Sequence, residues 1–131
     1  MPADPWAEKA MLDWVLGGAS PTRPASWFVG LAGGSPTSVS ASELTAQLSG
    51  GTSRLAVVFG AASTPATSGT ASNTAAITFS FVSAATVRGV NVWNASSGGT
   101  RLAYGTTAAS SVMVAADTYA FPIGSLRITL S

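Results

Sequence analysis

The β-rich character of this chain is clearest in Ser72-Asn73-Thr74-Ala75-Ala76-Ile77-Thr78-Phe79-Ser80-Phe81. Ile77, Phe79 and Phe81 alternate there with hydroxyl residues, and a period of two places the three large side chains on one face of a strand. After a short polar break, Thr86-Val87-Arg88-Gly89-Val90-Asn91-Val92-Trp93 alternates in the same way. The two stretches therefore predict neighbouring antiparallel strands at the centre of an all-β domain.

Shorter stretches of the same kind lie on both sides of this pair. Trp27, Val29 and Leu31 share one face of an early strand, and the Gly98-Gly99 turn predicts a hairpin that returns residues 102–104 antiparallel to residues 90–93. The predicted strands are residues 27–31, 53–59, 72–81, 86–93, 102–104, 112–114 and 126–130. This spacing predicts a mainly β fold, an antiparallel β-sandwich, with a jelly roll or a barrel as the alternatives.

The chain opens with a predicted helix over residues 1–16. Asp4 is placed to cap it, Pro5 occupies its first turn and Gly17 follows its end. Its apolar face, formed by Ala7, Met11, Trp14 and Val15, either packs on the domain's own sheet or reaches a neighbouring subunit. We expect residues 1–20 to form this helix with a flexible connector, and residues 21–131 to form a single β-sandwich domain.

Two further segments have weaker patterns. Ser40-Ala41-Ser42-Glu43 fits a capping box, and Leu44 and Leu48 are four residues apart, so residues 41–48 are predicted as a short helix, with an irregular loop as the alternative. Residues 60–72 are rich in Ala, Thr, Ser and Gly and are predicted as an exposed loop or irregular edge.

The composition restricts the environment of the protein. Charged residues make up 8% of its 131 residues, against about 25% in an ordinary globular chain. Its exterior must therefore consist of hydroxyl groups, Ala and Gly, which suits a protein packed against others in a large assembly. The net charge is +1 without a basic cluster, so we expect no nucleic-acid partner. Apolar runs are far shorter than the roughly 20 residues of a membrane helix, and no secretory signal is predicted.

Catalytic residues are not predicted. The chain has no His and no Cys, so a serine nucleophile lacks an activating base and zinc lacks its usual ligands. The carboxylates fit a helix start, a cap and a turn, and no acidic cluster or phosphate-binding loop occurs. We therefore expect no enzymatic activity, no metal and no cofactor.

Aromatic and arginine residues are the candidates for an interface, because both are enriched at binding hot spots. Trp27 is predicted to lie in the core. Trp93 is predicted to lie at the sheet end or at an interface, although a large aromatic residue in a small β domain more often lies in the core. Single arginines on strands (Arg54, Arg88, Arg127) either protect sheet edges or meet acids of neighbouring chains. The candidate interface residues are Trp6, Met11, Trp14, Trp93, Arg54 and Arg127.

The order of several short motifs resembles a family of small tailed-bacteriophage virion proteins, which serve as capsid decoration proteins or tail-fibre proteins. The matching pieces span nearly the whole chain: Trp6-Ala7-Glu8-Lys9-Ala10-Met11-Leu12-Asp13, Gly17-Gly18, Thr22-Arg23-Pro24, Trp27-Phe28-Val29-Gly30-Leu31, Glu43-Leu44, Gly50-Gly51-Thr52-Ser53-Arg54, residues 72–79, Gly98-Gly99 with Leu102 and Tyr104, and Gly124-Ser125-Leu126-Arg127-Ile128-Thr129-Leu130. Residues 32–40 depart from the family in lacking acidic residues. The resemblance implies a non-enzymatic structural protein of the virion.

Three functions follow as expectations. The first is a capsid decoration (cement) protein that binds the outer shell, contacts the major capsid protein or copies of itself, and stabilises the head. We expect it to be a homo-oligomer, for which a trimer is one possibility. The second is a tail-fibre or baseplate component that binds the host surface. The third is a soluble carbohydrate-binding module.

Overall fold

The computed structural model describes residues 4–17, 26–49, 54–61 and 69–130 of the chain. The predicted connector after Gly17, the extended segment 21–24, the Gly50-Gly51 pair and most of the low-complexity segment lie outside these residues. The elements within them are α1 (Pro5–Val15), β1 (Trp27–Ala32), β2 (Arg54–Val57), β3 (Gly69–Ser72), β4 (Ile77–Ser80), β5 (Ala85–Trp93), β6 (Arg101–Met113), β7 (Thr118–Phe121) and β8 (Arg127–Leu130). The fold is mainly β with an N-terminal helix, which confirms the predicted class.

The largest sheet has the strand order β2-β1-β5-β6, and its neighbouring strands are antiparallel. The predicted hairpin is confirmed, since Val92 pairs with Ala103 across the turn. One face of the sheet carries Val29 and Leu31, which have no exposed surface. Trp27 packs against the same core, as its place in the alternation predicted.

Two-stranded pairs complete the fold, β4 with β7 and β3 with β8. Ile77, Phe79 and Phe81 are buried and join the core of the large sheet, and Phe121 meets the Phe79 ring edge-on at 6.4 Å. The β4–β7 pair therefore forms a second layer of a sandwich-like arrangement. The prediction that the strands of residues 72–81 and 86–93 are neighbours is wrong, because β4 pairs with β7 while β5 lies between β1 and β6.

Residues 41–48 do not form the predicted helix. Glu43 forms an isolated bridge with Ala32 and Leu48 one with Phe81. The Leu44 amide donates to the Leu31 carbonyl at 2.8 Å. Bridges at both ends fix an irregular segment with a turn at residues 46–47, which matches the loop alternative, and Leu44 and Leu48 are buried in the core.

Two polar stretches are more ordered than the sequence indicates. Residues 69–72, predicted as loop, form β3, and residues 106–111 continue β6 instead of separating two strands. The β5–β6 ladder is irregular there, since Val87 pairs with Ser111 but Gly89 pairs with Thr106. Residues 107–110 of β6 thus lie opposite a single residue of β5.

Residues 33–43 cover the face of the large sheet that points away from the core. The Asn91 amide donates to the Ala41 carbonyl at 2.9 Å, and the Arg88 guanidinium donates to the Gly33 carbonyl at 2.9 Å. Gly89 permits this close approach, because a Cβ at that position would lie 2.4 Å from Pro36 Cδ. Asn91 is fully buried as a result, although its place in the alternation indicates the outer face.

Candidate interaction surface

Arg54 opens β2 and is 5% exposed. Its Nε and Nη2 donate to the two carboxylate oxygens of Glu43, at 2.6 and 3.1 Å. Its Nη1 donates to the carbonyls of Ala95 and Gly98, each at 2.8 Å. Arg54 thereby ties the turn after β5 to the segment over the sheet, and its interface role stays a prediction.

Trp93 is the last residue of β5 and lies under this ion pair. The guanidinium of Arg54 lies over its ring, 3.9 Å from the centroid, in the geometry of a cation–π contact. The indole Nε1 of Trp93 is buried and has no hydrogen-bond partner among the described residues. Trp93 is half-buried and lies at the end of the sheet, one of the two positions that the sequence left open.

Arg101 forms a second buried cluster, at the start of β6. Its Nε donates to Asp4 Oδ2 at 2.9 Å, its Nη1 donates to Asn91 Oδ1 at 3.0 Å and its Nη2 donates to the Thr37 carbonyl. The guanidinium also lies 4.2 Å from the centroid of the Tyr104 ring. Sequence reasoning missed this residue, because Asp4 and Arg101 are 97 positions apart and neither is part of a motif.

The Asp4–Arg101 ion pair fixes the beginning of α1. The Asp4 amide donates to the Leu102 carbonyl, and Ala7 is buried. The Asp4 side chain makes no capping hydrogen bond, although its backbone takes the predicted N-cap position. Gly17, with φ of 90°, follows the end of the helix as predicted. The structure therefore docks α1 mainly through its first two turns.

The rest of α1 presents an apolar surface to solvent. Of the predicted face, Ala7 alone is buried, while Met11 and Trp14 are 40% and 64% exposed. The exposed apolar residues of this helix and its C-cap, which we call the α1 apolar face, are Trp6, Met11, Leu12, Trp14, Val15 and Leu16. Lys9 and Asp13 pair with each other on the helix surface. The three helical interface candidates thus lie together on one exposed element.

Arg127, the last interface candidate, lies far from α1 in the chain and lines an open cleft of about 490 Å³ between β6, β7 and the start of β8. Its Nε donates to the Gly124 carbonyl at 3.0 Å. Tyr119 forms part of the same wall, and its ring meets Phe121 edge-on at 5.4 Å. Burial raises the pKa of the Tyr119 hydroxyl above its ordinary value of 10.0.

Within the described ranges, no group of three or more acidic, His or Cys side chains is arranged to hold a metal ion. The helix in this part of the chain also lacks the length and apolar character needed to cross a membrane. The two surface features that stand out among the described residues are the α1 apolar face and the cleft beside Arg127.

The comparisons with known proteins place this chain in a family. No curated protein matches it. A family model described as podophage GP4 fiber I protein gp80 matches residues 3–129. The matched range contains α1 and the eight strands of the described residues, except for Leu130, the last residue of β8. It also contains the interface candidates Trp93, Arg54 and Arg127. Because the match extends over nearly the whole chain, the protein belongs to the family of podophage GP4 fiber I protein gp80.

Proposed function

We propose that this protein is a structural component of a phage tail fibre, which attaches to other virion proteins through α1 and contacts the host surface through its β domain. The family description supports a fibre component better than the capsid decoration role that the sequence first indicated. The observation that carries the attachment role is the α1 apolar face, whose side chains are 39–78% exposed while the helix is anchored at its start.

Leaving the α1 apolar face in water is unfavourable in free energy. Burial of apolar area contributes about 25 cal/mol per Å², and exposed Trp and Met are enriched at protein interfaces. A partner that covers Trp14, Met11 and Leu12 would recover this free energy, whereas the described part of the chain does not cover them. The partner in this proposal is another copy of the chain or a neighbouring fibre protein.

A non-enzymatic role fits the state of the carboxylates. Four of the five acidic residues are engaged, either in ion pairs or as the acceptor of a turn hydrogen bond: Asp4 with Arg101, Asp13 with Lys9, Glu43 with Arg54, and Asp117 with the Val114 amide. General acid–base catalysis needs a carboxylate or another titratable group that is free to exchange a proton with substrate. These carboxylates instead stabilise the fold.

The location of the protein in the particle tests this proposal. A phage that carries the gene with a small epitope tag would be imaged by cryo-electron microscopy with labelled antibody. We expect label on the tail fibres, and loss of label when the α1 apolar face is made polar by Leu12→Ser and Trp14→Ser together. Label spread over the head would contradict the fibre role and support the decoration role instead.

A further inference from the structure

The cleft that contains Arg127 lies on the core side of the β5–β6 hairpin. Its walls come from Val90 of β5, residues 105–108 of β6, Tyr119 and Phe121 of β7, and residues 125–127. Its volume of about 490 Å³ falls in the range of about 300–1,000 Å³ typical of small-molecule sites. The cleft is therefore large enough for a small ligand.

The irregularity of the β5–β6 ladder forms one wall of this cleft. Residues 107–110 lie opposite Arg88 alone, so this part of β6 leaves the plane of the sheet. Irregularities of this kind re-aim side chains and are common beside functional sites. Here the displaced segment brings Thr107 and Ala108 to the cleft, next to Thr106, which remains paired with Gly89.

The walls combine an aromatic surface with hydroxyl groups. The Tyr119 ring is half-buried and is held edge-on against Phe121, so it offers an apolar body with a polar tip. Ser125 Oγ donates to the Pro122 carbonyl at 2.8 Å, and Thr107 Oγ1 donates to the Ala109 carbonyl at 2.8 Å. Since each hydroxyl already donates its proton, both oxygens are left to accept hydrogen bonds from a ligand.

The charge of the cleft is positive and comes from one residue. Among its lining residues Arg127 is the only cation, and none is acidic. Its Nε is engaged by the Gly124 carbonyl, while its two terminal nitrogens bond no other described residue. A guanidinium whose terminal nitrogens bond no other described residue is suited to a carboxylate, which it binds with two parallel hydrogen bonds.

We propose that this cleft binds a saccharide that carries a carboxylate. Acceptor hydroxyls match the hydroxyl groups of a sugar, the Tyr119 ring offers a surface to the sugar's apolar face, and Arg127 matches the carboxylate. One arginine is too little charge for a polyphosphate or nucleic acid. Hydrolysis of the glycosidic bond is not expected, because it needs a pair of carboxyl groups and no lining residue provides one. The inference rests on the proposed function in that it names the ligand class of the host-facing domain.

Binding is tested with the full chain in solution. The probes are disaccharides that contain glucuronic or galacturonic acid, each matched to the neutral disaccharide that differs only in lacking the carboxylate. Titration calorimetry gives the affinities, and NMR spectra of ¹⁵N-labelled protein give the location through the Gly105 and Thr106 amides and the Arg127 Nε–H group. We expect at least one acidic probe to bind more tightly than its neutral counterpart and to shift these signals.

Arg127→Gln removes the charge and keeps a polar side chain of similar shape. A charge-assisted hydrogen bond contributes about 1.5–3 kcal/mol, so we expect a loss of roughly tenfold or more in affinity for the acidic probe and little change for the neutral one. Arg127→Lys should lose less, because it keeps the charge. The matched control is Lys9→Gln, which removes an exposed cation of α1 outside the cleft and should leave binding unchanged.

The contrary results are equally specific. Equal affinity for every acidic and neutral pair, an equal loss in Lys9→Gln, signal shifts away from the cleft, or tighter binding of inorganic phosphate than of any acidic sugar would each overturn the saccharide site. None of these depends on where the protein lies in the virion. A label on the fibres with no saccharide binding would overturn this inference alone, while binding with label on the head would overturn the fibre role alone.

Discussion

The helix α1 and the strand β4 both repeat large apolar residues at the period of their own secondary structure, but only the strand buries them. Ile77 and Phe79 of β4 are 6% and 2% exposed, whereas Met11 and Trp14 of α1 are 40% and 64% exposed. The β domain thus closes its core without the apolar side chains of α1. A regular apolar pattern therefore marks a surface to be covered, and the fold decides whether the chain itself or a partner covers it.

The largest effect that this comparison predicts comes from the β core. Phe81 is 2% exposed and the following residue, Val82, is 54% exposed. Replacing a buried Phe by Ala costs about 3–5 kcal/mol, so Phe81→Ala should lower the free energy of unfolding by about that amount. Val82→Ala should change it by less than about 0.5 kcal/mol. Chemical denaturation followed by tryptophan fluorescence measures both, and equal losses would contradict the assignment of the core.

Breaking the nearly buried ion pair of the β domain should cost more folding stability than breaking the exposed ion pair of α1. The Arg54–Glu43 pair is nearly buried, whereas the Lys9–Asp13 pair of α1 is exposed. Glu43→Gln leaves a buried guanidinium without its counter-charge and should cost about 3 kcal/mol. Asp13→Asn should cost about 0.5 kcal/mol or less, and less still at high salt. Denaturation at two salt concentrations compares them; a cost for Asp13→Asn as large as that for Glu43→Gln would contradict the described burial.

Changes on the α1 apolar face should separate folding from assembly. Trp14→Ser should alter the free energy of unfolding of the isolated chain by about 0.5 kcal/mol or less, because surface substitutions have small effects. The same change should reduce incorporation into particles, measured by complementing a phage that lacks the gene. Lys9→Ser, on the side of the helix that carries the exposed Lys9–Asp13 pair, is the matched control and should incorporate normally. Normal incorporation of Trp14→Ser would show that α1 is not the attachment element.

The smallest effect concerns the pH dependence of stability. Burial raises the pKa of Tyr119 in the folded protein above the ordinary value of 10.0, so above about pH 10 the unfolded chain loses this proton first. Folding stability should then fall as the pH rises through that range. In Tyr119→Phe this part of the fall should disappear, while the curve below about pH 9 keeps its shape. Denaturation curves from pH 8 to 11 provide the measurement, and an unchanged fall in the variant would show that other groups cause it.

The faces of the strands could be predicted from the sequence, but their partners could not. The alternation of Ile77, Phe79 and Phe81 reports which side chains share a face, and the structure buries all three. The alternation contains no information on which strand pairs with this one. Adjacency in sequence favoured pairing of β4 with β5, whereas β4 pairs with β7, some 40 residues further along.

The polar contacts between side chains distant in sequence could not be predicted from the sequence either. Glu43 fits a capping box by spacing, yet its carboxylate accepts hydrogen bonds from Arg54, and Glu43 and Leu48 form bridges with Ala32 and Phe81 instead of entering a helix. The buried Arg101 cluster depends on Asp4, Thr37 and Asn91, which only the folded chain brings together. By contrast, the proximity of Met11 and Trp14 was predictable, because helix spacing alone places them near one another; their role at an interface stays a prediction.

The mismatch at residues 107–110 has a consequence for the evolution of this domain. Because these residues have no one-to-one partners on β5, residues can be gained or lost there without shifting the register of the pairs at either end of β6. The hairpin can thus change the shape of one cleft wall while keeping its buried residues in place. If the proposed saccharide binds in this cleft, the segment is a point at which recognition can diversify independently of stability.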